Sequence, residues 1–262
     1  MKLELDFSGK RLGKFPEIKI DYQSLNQLRL NNNELTSLPN EIDEFLNLKI
    51  LEVKINRLTS IPDTIGKLSS LETLNLSFNY LSSLPETVIN LLNLKILNLE
   101  HNQLKSLPKS LGKLSNLIEL NLSDNKLDFI PKSISKLSYV KRLHLRDNEL
   151  KTLPESIGSL KNLQWLDLYN NQLISLPNSL GNLVSLKRLY LKSNNLVSLP
   201  KTLGDLENLQ DLVVRNNQLV SLPKTLLNLN NLQNFDIEAN SLNKNSEKIL
   251  EELWSKGVNI IA

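Results

Sequence analysis

Few side chains in this chain have the types and spacing for chemistry. There are no cysteines and only two histidines, His101 and His144. Without cysteine there are no disulfides, thiolate metal sites or cysteine nucleophiles. A glycine-rich phosphate loop, a G-x-S-x-G elbow and an H-E-x-x-H motif are all missing from the sequence. The histidines share no partner, so we expect two solvated surface residues, no catalysis and no cofactor.

One set of side chains has the spacing of a cation site. These residues recur every 23 positions: His101, Asp124, Asp147 and Asn170. If consecutive copies stack as strands, the two carboxylates would lie about 5 Å apart, close enough to share a hard cation. However, Lys126 and Arg146 are near enough to neutralise the pair. We therefore expect a solvated edge and no metal.

The elements that position these side chains are copies of one repeat. All ten prolines fall 23 residues apart, from Pro16 to Pro223, which indicates one structural unit copied along the chain. Alignment on the prolines gives eleven units, from 2–24 to 232–254, with the pattern L-x-x-L-x-L-x-x-N-x-L-x-x-L-P-x-x-I/L-G-x-L-x-x. Neighbouring units of such an array share a continuous core, so we expect one elongated domain.

Each position of the repeat predicts a local structure. Leucines alternate with polar residues over x-L-x-L-x, as in a strand with one buried face. An asparagine follows each strand from Asn33 to Asn240, with Lys10 in its place in the first unit. Its amide both donates and accepts, so we expect a buried ladder that satisfies backbone groups. The proline marks the turn that leaves the strand. The glycine column predicts a crowded or left-handed backbone.

With these residues the chain resembles a leucine-rich repeat protein over residues 2–254. The proline and the constant 23-residue length are most similar to the short-repeat type of many bacterial proteins, including spirochaete ones, and of intracellular Ras-pathway scaffolds. The resemblance implies an α/β solenoid, a right-handed curved horseshoe. Its concave face would be a parallel β-sheet and its convex face short helical or 3₁₀ turns. We expect a single domain over residues 1–262.

The C-terminal end departs from the repeat. Residues 246–255 have the pattern of a short amphipathic helix, with Asn245 or Ser246 as its N-cap and Gly257 as its stop. Its apolar side is expected to carry Ile249, Leu250, Leu253 and Trp254. Val258 and Ile260 then fall at strand positions. Residues 241–262 are therefore expected to cover the C-terminal edge of the core.

The N-terminal end has no such cover in the sequence, because Leu5 and Phe7 are already in strand register. An open strand edge favours pairing, so we expect either residues upstream or association with another chain. The segment MKLELDFSGK lacks the apolar core of a signal peptide. The sequence as it stands thus favours a cytoplasmic protein, and a secreted or surface protein if a signal has been removed.

Bulk properties narrow the classes of partner. The net charge of +3 is small for 262 residues and does not predict nucleic-acid binding, which requires a strong basic stripe. No run of 18 apolar residues occurs, so no membrane span is expected. Because the buried positions repeat, functional differences must lie at exposed strand positions.

Two groups of exposed residues differ from unit to unit. The first, the N-terminal patch, consists of Ile50, Ile55, Phe78, Tyr80 and Ile96. Ile50 and Ile96 are expected to share a column of the sheet. The second, the C-terminal patch, consists of Arg142, His144, Arg146, Trp165, Asp167, Tyr169, Arg188, Tyr190, Lys192, Val213 and Arg215.

The C-terminal patch is the stronger candidate for binding. Trp165 is expected between Arg142 and Arg188, and Tyr169 between two further cations. Tryptophan, tyrosine and arginine are enriched in interface hot spots. The alternative is a cation–π and cross-strand array that only stabilises the sheet. The basic and aromatic mixture favours an acidic protein segment or an anionic glycan.

These patches predict a non-enzymatic protein–protein interaction module that binds a partner on the concave face. The resemblance implies host-protein binding, adhesion or effector targeting by a bacterial protein. One alternative is an intracellular signalling scaffold that docks a small GTPase or another signalling protein. A third is binding of carbohydrate or another anionic ligand.

Overall fold

The strands form a single parallel sheet. A computed structural model describes residues 3–19 and 21–262. In this part of the chain, twelve strands lie side by side in sequence order, each hydrogen-bonded to the next. They are β1 Leu3–Asp6, β2 Leu25–Arg29, β3 Ile50–Glu52, β4 Thr73–Asn75, β5 Ile96–Asn98, β6 Glu119–Asn121, β7 Arg142–His144, β8 Trp165–Asp167, β9 Arg188–Tyr190, β10 Asp211–Val213, β11 Asn234–Asp236 and β12 Asn259–Ile261. The predicted curved solenoid with a parallel sheet is confirmed.

Short 3₁₀ helices return the chain from each of the strands β1 to β10 to the next strand. They span Tyr22–Ser24, Asn40–Glu44, Asp63–Lys67, Glu86–Asn90, Leu111–Lys113, Lys132–Lys136, Glu155–Ser159, Asn178–Asn182, Lys201–Asp205 and Lys224–Asn228. Pro131 directly precedes one of them with φ −64°, the value to which its ring restricts it. The repeated proline therefore sets the entry to the convex turn, as predicted.

The glycine column marks crowding between coils. A Cβ on Gly158 would lie 2.2 Å from the carbonyl oxygen of Ser179 in the next coil. Gly66, Gly112, Gly181 and Gly204 meet the same obstruction, and none of the column has a positive φ. The crowded-backbone prediction is confirmed, and the left-handed alternative is wrong.

The ladder asparagines join neighbouring coils. Asn125 accepts from the backbone N–H of Leu104 at 3.0 Å, and its amide donates to the carbonyls of Leu99 at 3.0 Å and Leu122 at 3.1 Å. In the first unit, where the asparagine is replaced, the backbone N–H of Lys10 donates to Asn33 at 3.0 Å. The predicted ladder is confirmed, and it ties coils at 23-residue intervals.

A left-handed residue precedes each ladder asparagine. These residues, the rim column, have φ between 51° and 57°: Asn32, Ile55, Phe78, His101, Asp124, Asp147, Asn170, Ser193, Asn216 and Ala239. Asparagine, aspartate and histidine tolerate this conformation, whereas a β-branched or bulky residue is a true outlier there. Ile55 and Phe78 therefore occupy a backbone position that does not suit them.

The C-terminal cap consists of helix α1, Lys244–Ser255, followed by β12. The N-cap is Asn243, whose side chain accepts from the N–H of Ser246 at 3.0 Å. The expected caps Asn245 and Ser246 are therefore wrong. Ser246 is buried and accepts from the N–H of Leu222 at 3.0 Å, which anchors the helix to the preceding coil.

The apolar side of α1 is narrower than the sequence predicts. Ile249 and Leu253 are buried, whereas Trp254 is 72% exposed because it lies one residue beyond Leu253, about 100° around the helix. Its expected place on the apolar side is wrong. Gly257 follows the helix with φ 89°, and Ile260 pairs with Phe235, so the helix stop and the final strand are confirmed.

At the other end, β1 pairs with β2 alone among the described residues. Leu3, Leu5 and Phe7 pack against the core but remain partly exposed, unlike the fully buried strand leucines of inner coils such as Leu143. Association with another chain at this edge stays a prediction. Across residues 3–19 and 21–262, no helix has the length and apolarity to cross a membrane.

Candidate binding surface on the concave face

Four adjacent strands, β7 to β10, carry the C-terminal patch. Alternate residues of a strand point to opposite faces, so Leu143 is buried while Arg142 and His144 face outwards. The register places Trp165 directly between Arg142 and Arg188, as the spacing predicts. The patch is therefore one continuous surface.

Trp165 is the centre of an aromatic cluster. Its ring meets Tyr190 edge to face, with centroids 5.5 Å apart, and His144 at 5.9 Å. The guanidinium of Arg188 lies over the indole, 4.8 Å from its centroid. The indole N–H of Trp165 is covered and has no hydrogen-bond partner in the described structure.

Tyr169 lies between two cations, as expected. Arg146 is 5.2 Å and Lys192 is 5.6 Å from the ring centroid. Because the two cations come from the preceding and the following coil, the ring is held from both sides. A concavity of about 270 Å³ opens beside it, lined by Arg146, Asp167, Tyr169, Tyr190, Lys192 and Val213. All six lining residues belong to the C-terminal patch.

Most of the positive charge of the patch is neutralised internally. Four ion pairs have nitrogen–oxygen distances of 2.6–3.0 Å: Arg142–Glu119, Arg146–Asp147, Arg188–Asp211 and Arg215–Glu238. Glu119 and Glu238 were missing from the sequence-based set. They were detectable, since each lies 23 residues from its arginine and hence in the neighbouring strand.

Two partly buried groups at the centre of the patch have shifted pKa values. Burial raises the pKa of Asp167, whose carboxylate accepts the N–H of Tyr169 at 3.1 Å. Burial also lowers the pKa of His144, which lies 4.0 Å from Glu119. His144 and Asp167 are direct neighbours in the sheet. Both shifts favour the neutral form, because desolvation penalises charge.

The residues of the N-terminal patch lie at two separate places on the surface. Ile50, Thr73 and Ile96 follow one another in a single column of the sheet, as predicted. Ile55 and Phe78 are neighbours in the rim column and are 47% and 43% exposed. Tyr80, 53% exposed, follows the ladder asparagine of the same coil as Phe78.

The side chains considered as a cation site are bound to one another and to neighbouring side chains. His101 stacks on Phe78 with ring centroids 4.8 Å apart, and its Nδ1 is hydrogen-bonded to Asp124. Asp147 is engaged by Arg146 at 2.8 Å and by the amide of Asn170 at 2.7 Å. In the described ranges no cluster of three or more histidine, aspartate or glutamate side chains is placed to hold a metal. The two carboxylates therefore have separate partners.

The family follows from the repeat geometry and from sequence comparison. Residues 15–130 and 128–260 match the family model described as "Leucine-rich repeat region". The chain belongs to the leucine-rich repeat family. No curated protein sequence matches this leucine-rich repeat protein.

Solved structures of leucine-rich repeat proteins share the architecture. A leucine-rich repeat protein of Leptospira interrogans is 27% identical, with 98% of this chain and 95% of that chain covered and a TM-score of 0.51. The plant peptide hormone receptor RGFR1 in complex with RGF2 is 27% identical, with 84% and 41% covered and a TM-score of 0.73. An internalin of Listeria monocytogenes is 20% identical, with 99% and 86% covered and a TM-score of 0.69.

These similarities establish the fold. The internalin is too distant in sequence to show more than that, and this leucine-rich repeat chain spans only 41% of the plant receptor chain. Leucine-rich repeat folds commonly serve as protein–protein interaction modules, as in receptor ectodomains and internalins, and such modules are typically non-enzymatic.

Proposed function

We propose that this chain is a non-enzymatic module that binds a protein partner on its concave face, with the C-terminal patch as the main contact. The observation that carries the proposal is an open concavity of about 270 Å³ on the exposed sheet, lined by Tyr169 and Tyr190, with Trp165 packed edge to face against Tyr190. Aromatic and arginine side chains in such surroundings supply most of the free energy in protein interfaces.

The patch is organised before a partner arrives. Arg188 holds the ring of Trp165, and Arg146 and Lys192 hold Tyr169. Side chains that are already ordered lose little conformational entropy on binding, which favours affinity. The parallel strands beneath them are hydrogen-bonded on both sides and form a rigid base.

One feature favours binding over a purely structural array. The concavity beside Tyr169 opens on the exposed face of the sheet, so a side chain of a partner can enter it and gain dispersion contacts with the rings of Tyr169 and Tyr190.

The comparisons suggest where to look for the partner. The similarity to a Leptospira interrogans leucine-rich repeat protein over 98% of the chain supports a bacterial source, and host binding is the first role to test, so host extracts come first. The plant receptor is a peptide hormone receptor, which supports a peptide segment as the bound form. The N-terminal patch is proposed as a second contact for the same partner.

Affinity capture tests the proposal. The immobilised chain is incubated with host extract and, separately, with extract of the source cell, and captured proteins are identified by mass spectrometry. Trp165→Ala with Tyr190→Ala is expected to weaken binding by at least about 2 kcal/mol, roughly 30-fold, measured by calorimetry with the purified partner. Wild-type affinity in this double variant would exclude the C-terminal patch.

The matched control removes the same residue types elsewhere. Trp254 and Tyr139 are 72% and 59% exposed and lie on α1 and beside a convex turn. Trp254→Ala with Tyr139→Ala is expected to leave partner affinity unchanged. Circular dichroism and melting temperature establish that both double variants are folded.

A further inference from the structure

Each arginine of the C-terminal patch is paired with a carboxylate, which leaves Asp167 and Lys192 without an ion pair among the described residues. We propose that Asp167 receives an arginine side chain of the protein partner in the concavity beside Tyr169. The inference rests on the proposed function, because it assigns the chemistry of one contact at the same patch. It differs from the expectation of an acidic partner, which came from the number of basic residues.

The pairing of the neighbouring charges is the first argument. Asp147 and Asp211 are each bound to an arginine, at 2.8 Å and 3.0 Å. Glu119 and Glu238 are likewise bound to arginines. Among the described residues, Asp167 has no ion pair at all. Four of the basic residues thus already have a carboxylate partner, whereas Asp167 has no basic partner.

The position of Asp167 is the second argument. It lies in β8 between His144 of β7 and Tyr190 of β9 and lines the concavity. One carboxylate oxygen accepts the N–H of Tyr169 at 3.1 Å, and no hydrogen bond is made by the other. Burial raises its pKa, while the neighbouring His144 and Arg146 act in the opposite direction. A partly buried carboxylate with a free oxygen gains from a charge-assisted hydrogen bond with a cation.

The walls of the concavity select the kind of cation. Tyr190 and Val213 supply apolar surface in the concavity that Asp167 lines. A guanidinium is planar and weakly hydrated, and it binds a carboxylate while stacking on an aromatic ring. A lysine ammonium is more strongly hydrated and loses more on entering the same space. Lys192 lies against the ring of Tyr169 at 5.6 Å and forms no ion pair with Asp167 in the described structure.

Nuclear magnetic resonance of the full ¹⁵N-labelled chain tests the assignment with three probes. These are the N-acetyl methylamides of arginine, citrulline and aspartate. The arginine probe is expected to shift the backbone amide of Tyr169 and the indole signal of Trp165 with saturation in the millimolar range. The citrulline probe has the same shape without the charge, and the aspartate probe has the opposite charge; neither is expected to produce these shifts. The indole signal of Trp254 is an internal reference away from the patch.

A pair of matched variants locates the contact. D167N is expected to weaken binding of the arginine probe by at least about tenfold, which corresponds to about 1.4 kcal/mol. D236N is the control, because Asp236 occupies the same column three coils away on β11 and accepts the N–H of Glu238 at 3.3 Å in the same way. It is expected to bind the probe as the wild-type chain does.

The outcomes separate this inference from the proposed function. Shifts at Trp165 with the aspartate probe, equal shifts with arginine and citrulline, or unchanged arginine binding in D167N would each overturn the role of Asp167. The comparison of arginine with citrulline uses the wild-type chain, so it holds even if D167N is unstable. If the arginine probe fails while the Trp165 and Tyr190 double variant loses the partner, the patch binds a partner of different chemistry.

Discussion

Arg188 lies over the indole ring of Trp165 at 4.8 Å while its Nε donates to Asp211 at 3.0 Å on the next strand. One guanidinium thus fixes an aromatic ring on one side and a carboxylate on the other. The same side chain links three consecutive strands of the sheet, β8 to β10. The orientation of Trp165 therefore depends on a charged neighbour and not on burial in the core.

Removal of this guanidinium is expected to release the indole with little loss of stability. Arg188→Gln in a Trp254→Phe background leaves Trp165 as the sole tryptophan, so its emission can be read alone. We expect a red shift, because the ring becomes more accessible to water. The free energy of unfolding should fall by less than about 1 kcal/mol, the scale of exposed ion and cation–π pairs. An unchanged emission maximum would show that Arg188 does not hold the ring.

Loss of a ladder asparagine is expected to be severe. Asn125→Ala leaves the N–H of Leu104 without its acceptor inside the core and removes the bonds that the amide donates to the carbonyls of Leu99 and Leu122. We expect a loss of at least about 2 kcal/mol, since each unsatisfied buried group costs about 1–3 kcal/mol. Asn116→Ala is the control, because Asn116 is exposed and makes one bond, to the carbonyl of Leu92 at 2.8 Å. Equal losses in urea unfolding of the two variants would contradict the ladder argument.

Relief of the rim-column strain is expected to stabilise the chain. Ile55 has φ 56° and is 47% exposed, so Ile55→Asn removes a strained β-branched residue and loses little packing. We expect a gain of about 1 kcal/mol, the size of the left-handed penalty. Ile50→Asn makes the same change at a strand position with ordinary φ and should not stabilise. A lower unfolding midpoint for Ile55→Asn would mean that the side chain is needed for the fold.

A methyl group in the glycine column is expected to force two coils apart. In Gly158→Ala the new Cβ would lie 2.2 Å from the carbonyl oxygen of Ser179 and 2.7 Å from its Cβ. Overpacking of this kind typically costs about 1–3 kcal/mol. Gly13→Ala, where nothing lies within 4 Å and φ is not positive, is expected to be neutral or slightly stabilising. Thermal unfolding of the two variants measures the contrast.

The burial of Asp167 is expected to make stability depend on pH. Its raised pKa means that the charged form is penalised in the folded chain, so Asp167→Asn should stabilise the chain at neutral pH. Below the unfolded-state pKa of aspartate, about 3.9, the wild-type carboxyl is protonated in both states and the gain should vanish. The surrounding charged or titratable groups are His144, Arg146 and Asp147. Urea unfolding at pH 7 and pH 3 measures the difference, and an equal gain at both values would refute the desolvation argument.

The repeated units made the fold predictable, whereas the segments that depart from the repeat could not be predicted in detail. Asn125 and Gly158 could be placed because each occupies a position that recurs in several units of the repeat, so its structural role could be inferred from all of them together. Asn243 and Trp254 could not, because the last helix has a single copy, and a rotation of one residue changes which side chains are buried. The rim-column conformation was detectable from its asparagines and aspartates, but Ile55 and Phe78 obscured it.

The candidate site was only partly predictable. Columns follow from the 23-residue spacing, so the place of Trp165 between two arginines could be derived. The partner chosen by each charged side chain depends on rotamers as well as columns. Arg146 binds Asp147 beside it in the chain, whereas Arg188 binds Asp211 one strand away. The charged side chains that remain unpaired on the surface therefore follow from the structure and not from the spacing alone.

The hydrogen bonds of the asparagine ladder are the same at every junction between inner coils. One whole coil can therefore be gained or lost in evolution without any junction changing its chemistry. Each such event would move one patch relative to the other by a single strand spacing, about 4.8 Å. Recombination that adds or removes a coil between the two patches can therefore change the distance between them in steps of one strand spacing, while the packing of the core is unchanged.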